Sequence, residues 1–203
     1  MSLPPSSWRA RFAALHQSND VPLMRDLIFG PEHDKPPPEA VAAIIHELDL
    51  NTEFHDTPFT ACCRADHPEM LSLFIEYLRS VARLSTTIDT AIKEGRTALF
   101  VAAADGNQQC VELLTEGCAD VDRARTSDGM TPLSIACARG HVEVAKFLVA
   151  NGATVDQADT DGVTPLAFAC NKGHVEVAKF LVANGATVDK ADTNGVTDRK
   201  SGV

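Results

Sequence analysis

The chain has 203 residues and a formal net charge of −10; 44% of its residues are hydrophobic but only 5% are aromatic. So acidic a chain argues against broad nucleic-acid binding, which needs cations set against phosphates. No apolar run reaches the roughly 18–20 residues of a membrane span, so neither nucleic acid nor a membrane is expected as a partner.

The segment Met1–Asn19 holds two arginines, several serines and no acid before Asp20, a composition faintly like a targeting peptide. A first helix over about 8–17 accounts for it better, with Ser6 or Ser7 as N-cap and Trp8, Phe12 and Leu15 on one face. A second helix is expected over about 21–29. Pro31–Pro38 (PEHDKPPP) cannot be helical, and a third helix follows over about 39–48. Residues 1–52 read as a divergent helical N-terminal cap.

Beyond residue 52 the chain repeats itself. Asp128–Thr160 and Asp161–Thr193 have the same length, and GHVEVAKFLVANGATVD occurs in both. They differ only at Met130/Val163, Ser134/Ala167, Ile135/Phe168, Ala138/Asn171, Arg139/Lys172 and Gln157/Lys190. A weaker copy begins at Gly95-Arg-Thr-Ala-Leu, and an older one at Asp56-Thr-Pro-Phe-Thr. The units are about 53–93, 94–127, 128–160 and 161–193.

Each unit reads as two short helices and a loop. Thr131 can cap a first helix whose first turn tolerates Pro132, and Gly140 stops it after Arg139. A second helix is predicted over about Val142–Ala150, with apolar residues on more than one side. Asp159-Thr-Asp-Gly162 has the composition of a turn. A second helix of this kind needs a neighbour on each side, so the units must stack into a solenoid.

With T-P-L openings, small A-C pairs, G-H junctions and G-A-x-V-D endings, residues 53–193 resemble the ankyrin repeat family. The resemblance implies an all-α solenoid of stacked helix-turn-helix units with short extended or β-hairpin loops. Two departures stand out. The family's histidine after T-P-L is replaced by Thr60, Phe100, Ser134 and Ala167, so its side-chain hydrogen bonds should be missing. Cys118 stands where the ending glycine is expected, with Gly117 one place early, so that loop is expected to shift.

The resemblance also implies a binding surface made of the loop tips and the exposed ends of the first helices. Carried onto this chain, the helix positions are Arg64, Ala65, Ala104, Asp105, Ala138, Arg139, Asn171 and Lys172. The tip positions are Arg96, Arg123, Arg125, Asp128, Met130, Thr160, Asp161, Val163 and Lys190. Six of these are cationic residues (Arg64, Arg96, Arg123, Arg125, Arg139 and Lys172) that Asp105, Asp128 and Asp161 oppose only in part. The inner groove is therefore expected to be locally basic and to prefer an acidic peptide or protein surface.

No catalytic motif, cofactor loop or metal-ligand spacing appears, so the chain is read as non-enzymatic, with no cofactor and no metal. His67, His141 and His174 share one repeat position, which the resemblance makes structural. Cys63, Cys137 and Cys170 share another, expected to stay reduced as small core residues. Asp159, Asp161 and Gly162 lack the spacing of a calcium loop.

Residues 194–203 begin a further unit and break off. The last repeat is written like an interior one, so its outer face is expected to meet water, a partner or a second copy, and a truncated array is favoured over a designed end. Ser201-Gly-Val203 matches a C-terminal strand-addition pattern too short to weigh. The expected function is a protein-protein interaction module, in the cytoplasm or else the nucleus. The alternatives are a substrate-recruiting adaptor of a ubiquitin ligase and a regulatory fragment of a larger enzyme or channel.

Overall fold

The computed structural model describes residues 5–29, 41, 56–82 and 88–188. Ten α-helices lie among them: α1 (Pro5–Gln17), α2 (Val21–Phe29), α3 (Pro58–Ala65), α4 (Pro68–Ser80), α5 (Ala98–Asp105), α6 (Gln108–Glu116), α7 (Pro132–Arg139), α8 (Val142–Ala150), α9 (Pro165–Lys172) and α10 (Val175–Ala183). From α3 onward they form four pairs. Helix α1 begins at Pro5, so Ser6 and Ser7 lie inside it rather than capping it. The helix expected over 39–48 lies outside the described residues, apart from the helical Val41.

The first helix of every pair starts the same way. Thr57, Thr97, Thr131 and Thr164 hold extended backbone, and each hydroxyl accepts from the backbone N–H three residues on. Such a cap contributes about 1 kcal/mol. The four first helices then pack against one another in succession, α3 on α5, α5 on α7, α7 on α9. What permits this is size. Cys62 and Cys63, Ala102 and Ala103, Ala136 and Cys137, and Ala169 and Cys170 are all buried at these seams, where small side chains let helix axes approach closely.

The second helices bury three columns, at the third, fourth and seventh residues after the position of His67, Asn107, His141 and His174. They are Met70, Cys110, Val144 and Val177; Leu71, Val111, Ala145 and Ala178; and Phe74, Leu114, Leu148 and Leu181. This spacing is one face of a helix. In the first pair the larger Phe74 ends the stack: its ring lies 5.4 Å from Phe12, 6.1 Å from His16 and 6.3 Å from Phe59. Burial lowers the pKa of His16 to about 4 against an opposing hydrogen bond to the Pro58 carbonyl. The neutral ring sits with Nε2 3.3 Å from both the Pro58 carbonyl and Cys62 Sγ.

Two couplings tie each pair to the next. The carboxylates of Asp122 and Asp156 accept from the backbone N–H of Thr154 and Thr187, both at 3.0 Å, and also from their hydroxyls. In the earlier pair Asp89 meets the N–H of Asp120 at 3.1 Å. Burial raises the Asp89 pKa, and the neighbouring Asp120 charge adds to the rise. The second coupling is a ring over a glycine. His141 Nε2 lies 3.0 Å from the Ala104 carbonyl and His174 Nε2 3.2 Å from that of Ala138. A Cβ on Gly106 or Gly140 would lie 2.6 Å from the overlying imidazole, and both residues have φ near +78° and +79°. Asp66 occupies the same left-handed position in the first pair. There the overlying residue is the smaller Asn107, which donates to the Cys63 carbonyl.

Three expectations need correction. The loops are turns: Ile92 N–H to Arg96, Arg125 N–H to Met130 and Asp159 N–H to Val163 close the tips, but no strand forms among the described residues beyond the single bridged residue Asp56. The hydrogen bonds of the missing histidine are partly restored, because Thr60 donates to the Thr57 carbonyl and Ser134 Oγ lies 3.0 Å from Thr131 Oγ1. Nor does the loop at Cys118 shift. Cys118 N–H bonds Thr115 and Ala119 N–H bonds Leu114, as Gly152 and Ala153 bond Val149 and Leu148. Cys118 itself takes φ 66°, while Gly117 has an ordinary φ of −75° and lies close under the end of the Ile88 side chain.

A left-handed, exposed cysteine carries backbone strain with no packing in return. Cys118→Gly is expected to stabilise the protein by about 1 kcal/mol and raise its thermal midpoint by roughly 2–4 °C. An unchanged or lower midpoint by calorimetry would show that the cysteine sits there without strain.

Candidate protein-binding surface

The expected contact residues fall into two rows along the inner side of the stack. One row is the C-terminal ends of the first helices. Arg64 donates to the buried carboxylate of Asp56 from Nε at 2.7 Å and from Nη2 at 3.1 Å. Its Nη1 lies 3.9 Å from Asp105, whose other oxygen is 3.1 Å from Arg139 Nη1. Arg139 also donates to the Ala104 carbonyl. Asp56, Arg64, Asp105 and Arg139 thus form a line of alternating charge across three pairs. Asn171 and Lys172 continue the row and are exposed, whereas Ala138 is half-buried beneath the His174 bond.

The other row is the tips. Arg125 is gripped by two partners: its Nε donates to Asp128 at 2.8 Å, its Nη2 also meets Asp128, and its guanidinium lies 5.0 Å from the Phe100 ring centre. The guanidinium hydrogen bond holds the Asp128 carboxyl below its usual pKa. Met130 is buried beneath this arrangement, with Sδ 3.6 Å from Arg125. Met130 is therefore a support of the tip rather than an open contact. Thr160 and Asp161 stand exposed at the next tip, where the Thr160 hydroxyl donates to the Asp128 carbonyl. Asp159 Oδ1 accepts from the N–H groups of Asp161 and Val163, so this aspartate closes a turn. Arg96 and Val163 are half-buried, Arg123 is exposed, and Arg96 donates to the Lys93 carbonyl. Lys190 lies outside the described residues.

Three of the six cations of the basic groove read from the sequence are thus neutralised. Arg64, Arg125 and Arg139 are each paired, and Asp56 was the carboxylate that charge counting missed. The signal was present: Asp56 precedes the capping Thr57 and Arg64 lies about two helical turns further on, so both fall on one side of α3. Arg96, Arg123 and Lys172 form no ion pair among the described residues.

Among the described residues, no group of three or more His, Cys, Asp or Glu side chains could hold a metal ion. No described helix is long and apolar enough to cross a membrane. All six cysteines carry free thiols, five of them buried. Burial pushes the thiol of Cys137 up to about 12 and those of Cys62 and Cys63 well above their usual value, so they are protonated and poorly nucleophilic.

Stacked helix pairs joined by turn-closed tips, with small residues at the inner seams, define a repeat solenoid, an architecture that presents extended binding surfaces. A family profile described as ankyrin repeats (3 copies) matches residues 12–124 and 117–192, and the chain belongs to the ankyrin repeat family. Among known proteins it is similar to protein phosphatase 1 regulatory subunit 27 of Mus musculus, at 34% identity over 98 residues, 44% of this chain and 63% of that protein. It is also similar to the human SMC5-SMC6 complex localization factor protein 1, at 40% identity over 70 residues, 34% of this chain and 7% of that protein. The potassium channel AKT1 of Oryza sativa subsp. indica is 33% identical over 89 residues, 44% of this chain and 9% of the channel. Each alignment spans less than two thirds of the relative.

The alternating line of charges is ranked by burial. Arg64→Met leaves the Asp56 carboxylate buried without a cation and is expected to cost about 3 kcal/mol. Arg139→Met removes a half-exposed pair and should cost under about 1 kcal/mol. Urea denaturation of the two variants measures both, and equal losses would dissolve the ranking.

Proposed function

We propose that the chain is a non-enzymatic interaction module that holds a protein partner along its inner side, across the tips and the first-helix ends. The observation that carries this reading is where the twin repeats differ. Of the six positions at which they differ, Ala138/Asn171 and Arg139/Lys172 are first-helix ends on that side and Met130/Val163 supports the tip, while the second-helix columns Val144/Val177, Ala145/Ala178 and Leu148/Leu181 are identical. The buried Ser134/Ala167 also differs, so the constant frame is that of the second helices, and first-helix ends varied against it suit recognition. The similarity to a phosphatase regulatory subunit agrees with an adaptor that acts through binding.

An acidic partner segment remains the favoured ligand, now on a narrower basis. It rests on Arg96, Arg123 and Lys172, because the other arginines already hold carboxylates. The triple variant Arg96→Glu, Arg123→Glu, Lys172→Glu changes accessible groups and is expected to keep its helical circular dichroism. Proteins captured from the native cell by the unaltered chain should be lost or recovered roughly tenfold less. Recovery of the same proteins in the same yield would overturn the inner-side reading.

A second reading draws on another observation. Val175, Val182 and Val188 are each 45% exposed, whereas Val142, Val149 and Val155, their counterparts one pair earlier, are half-buried against the core. Such a patch supports self-association through α10. Light scattering over a range of concentrations should show a dimer that Val182→Asp abolishes. A monomer at every concentration would remove this reading.

A further inference from the structure

The outer side of the stack is not uniform. On α8 and α10 the charges are self-contained: Lys146 pairs with Glu143 at 2.8 Å and Lys179 with Glu176 at 3.1 Å. At the corresponding places α6 has Gln109 and Glu112, with Glu116 where α8 has Ala150. Helix α4 has Glu69, Ser72 and Glu76 there. The first two pairs therefore face outward with carboxylates, and the last two with neutral pairs.

The same region is hollow. The groove between α4 and α6, bounded by the start of α2, encloses about 460 Å³ over a floor that includes Val21, Leu73 and Leu113. A second hollow of about 490 Å³ continues it past Ile75 and shares Ser72, Leu113 and Glu116 with the first. Leu73 is buried and Leu113 half-buried. Glu69, Glu112 and Glu116 stand at the edges. Arg25 lies at the groove but is held by Glu76 at 2.8 Å, and Arg79 is the other cation lining it. Gln108 donates to Glu112 at 2.8 Å, orienting that carboxylate without neutralising it. Neither Glu69 nor Glu116 has a cation partner among the described residues.

We propose that this outer groove is a second docking surface, distinct from the inner side, for a basic amphipathic segment of another protein. The segment's apolar side chains lie on Val21, Pro68 and Leu113, and its lysines or arginines meet Glu69, Glu112 and Glu116. Apolar floor and carboxylate rim together select this chemistry. An acidic segment is repelled by the rim, and a purely basic one leaves the floor wet. The proposal does not depend on what the inner side binds.

The test uses the full chain and a labelled amphipathic helical peptide of leucine and lysine, with two controls: a scrambled peptide of the same composition, and a leucine–glutamate peptide of the same pattern. Binding is followed by fluorescence anisotropy, and its place by methyl resonances. The leucine–lysine peptide should bind, shift the methyl signals of Leu73, Ile75 and Leu113, and lose roughly tenfold in affinity with Glu112→Lys/Glu116→Lys. Glu143→Lys/Glu176→Lys, on the neutral half, should leave binding at the groove methyls intact. The scrambled peptide should bind more weakly and the leucine–glutamate peptide not at all. Shifts confined to the inner side, equal affinity for the Glu112→Lys/Glu116→Lys variant, or equal binding of the scrambled peptide would each overturn the proposal.

Discussion

Close approach of the first helices is the contact on which everything else in the molecule rests. Eight- and nine-residue helices are too short to persist alone in water, and after the first pair the buried second-helix columns hold only aliphatic residues and cysteine. The Ala and Cys seams let α3, α5, α7 and α9 lie side by side, and only then do the columns headed by Met70, Leu71 and Phe74 become continuous. The threonine caps, the Asp–Thr couplings and the histidines over glycine fix the spacing that the seams permit. A larger residue at Ala136 or Ala169 would act on every pair at once, because each seam is shared.

That same crowding shapes both surfaces. First helices that touch closely bring their ends and the tips into a continuous inner row, close enough for Asp105 to reach arginines from two different pairs. The second helices carry longer side chains between them, and the space left over between α4 and α6 is the outer groove. One structural cause therefore yields a tight face crossed by ion pairs and a looser face with an apolar floor. The two are chemically unlike, so occupation of one need not compete with the other.

How much of this was legible depended on whether a property is local. The thirty-three-residue period, the capping threonines and the stop at Gly140 are local, and the structure follows them residue for residue. The loop around Cys118 looked displaced because glycine is the residue that ordinarily takes φ > 0. The pair's hydrogen bonds instead hold the loop in place and make the cysteine adopt the glycine's conformation. The groove charge was the least legible feature. Arg64, Arg125 and Arg139 count as three free cations in a list, but Asp56, Asp128 and Asp105 reach them from other turns or from another pair. Likewise the outer groove cannot be read from α4 or α6 separately, because its floor is Leu73 from one and Leu113 from the other.

The pairing on the inner side changes what its charges can do for recognition. An arginine already bonded to a carboxylate gives little long-range attraction, since the pair is neutral beyond about a Debye length. Its remaining N–H groups still point in fixed directions, and a held guanidinium loses less freedom when a partner arrives than a free one. Arg64 and Arg125 are thus better suited to setting orientation than to drawing a partner in. Arg123 and Lys172, unpaired among the described residues and exposed, are suited to the reverse. On the proposed reading, a protein with net charge −10 would select an acidic segment in this way: the few unpaired cations would steer, and the paired ones would discriminate by geometry once contact is made.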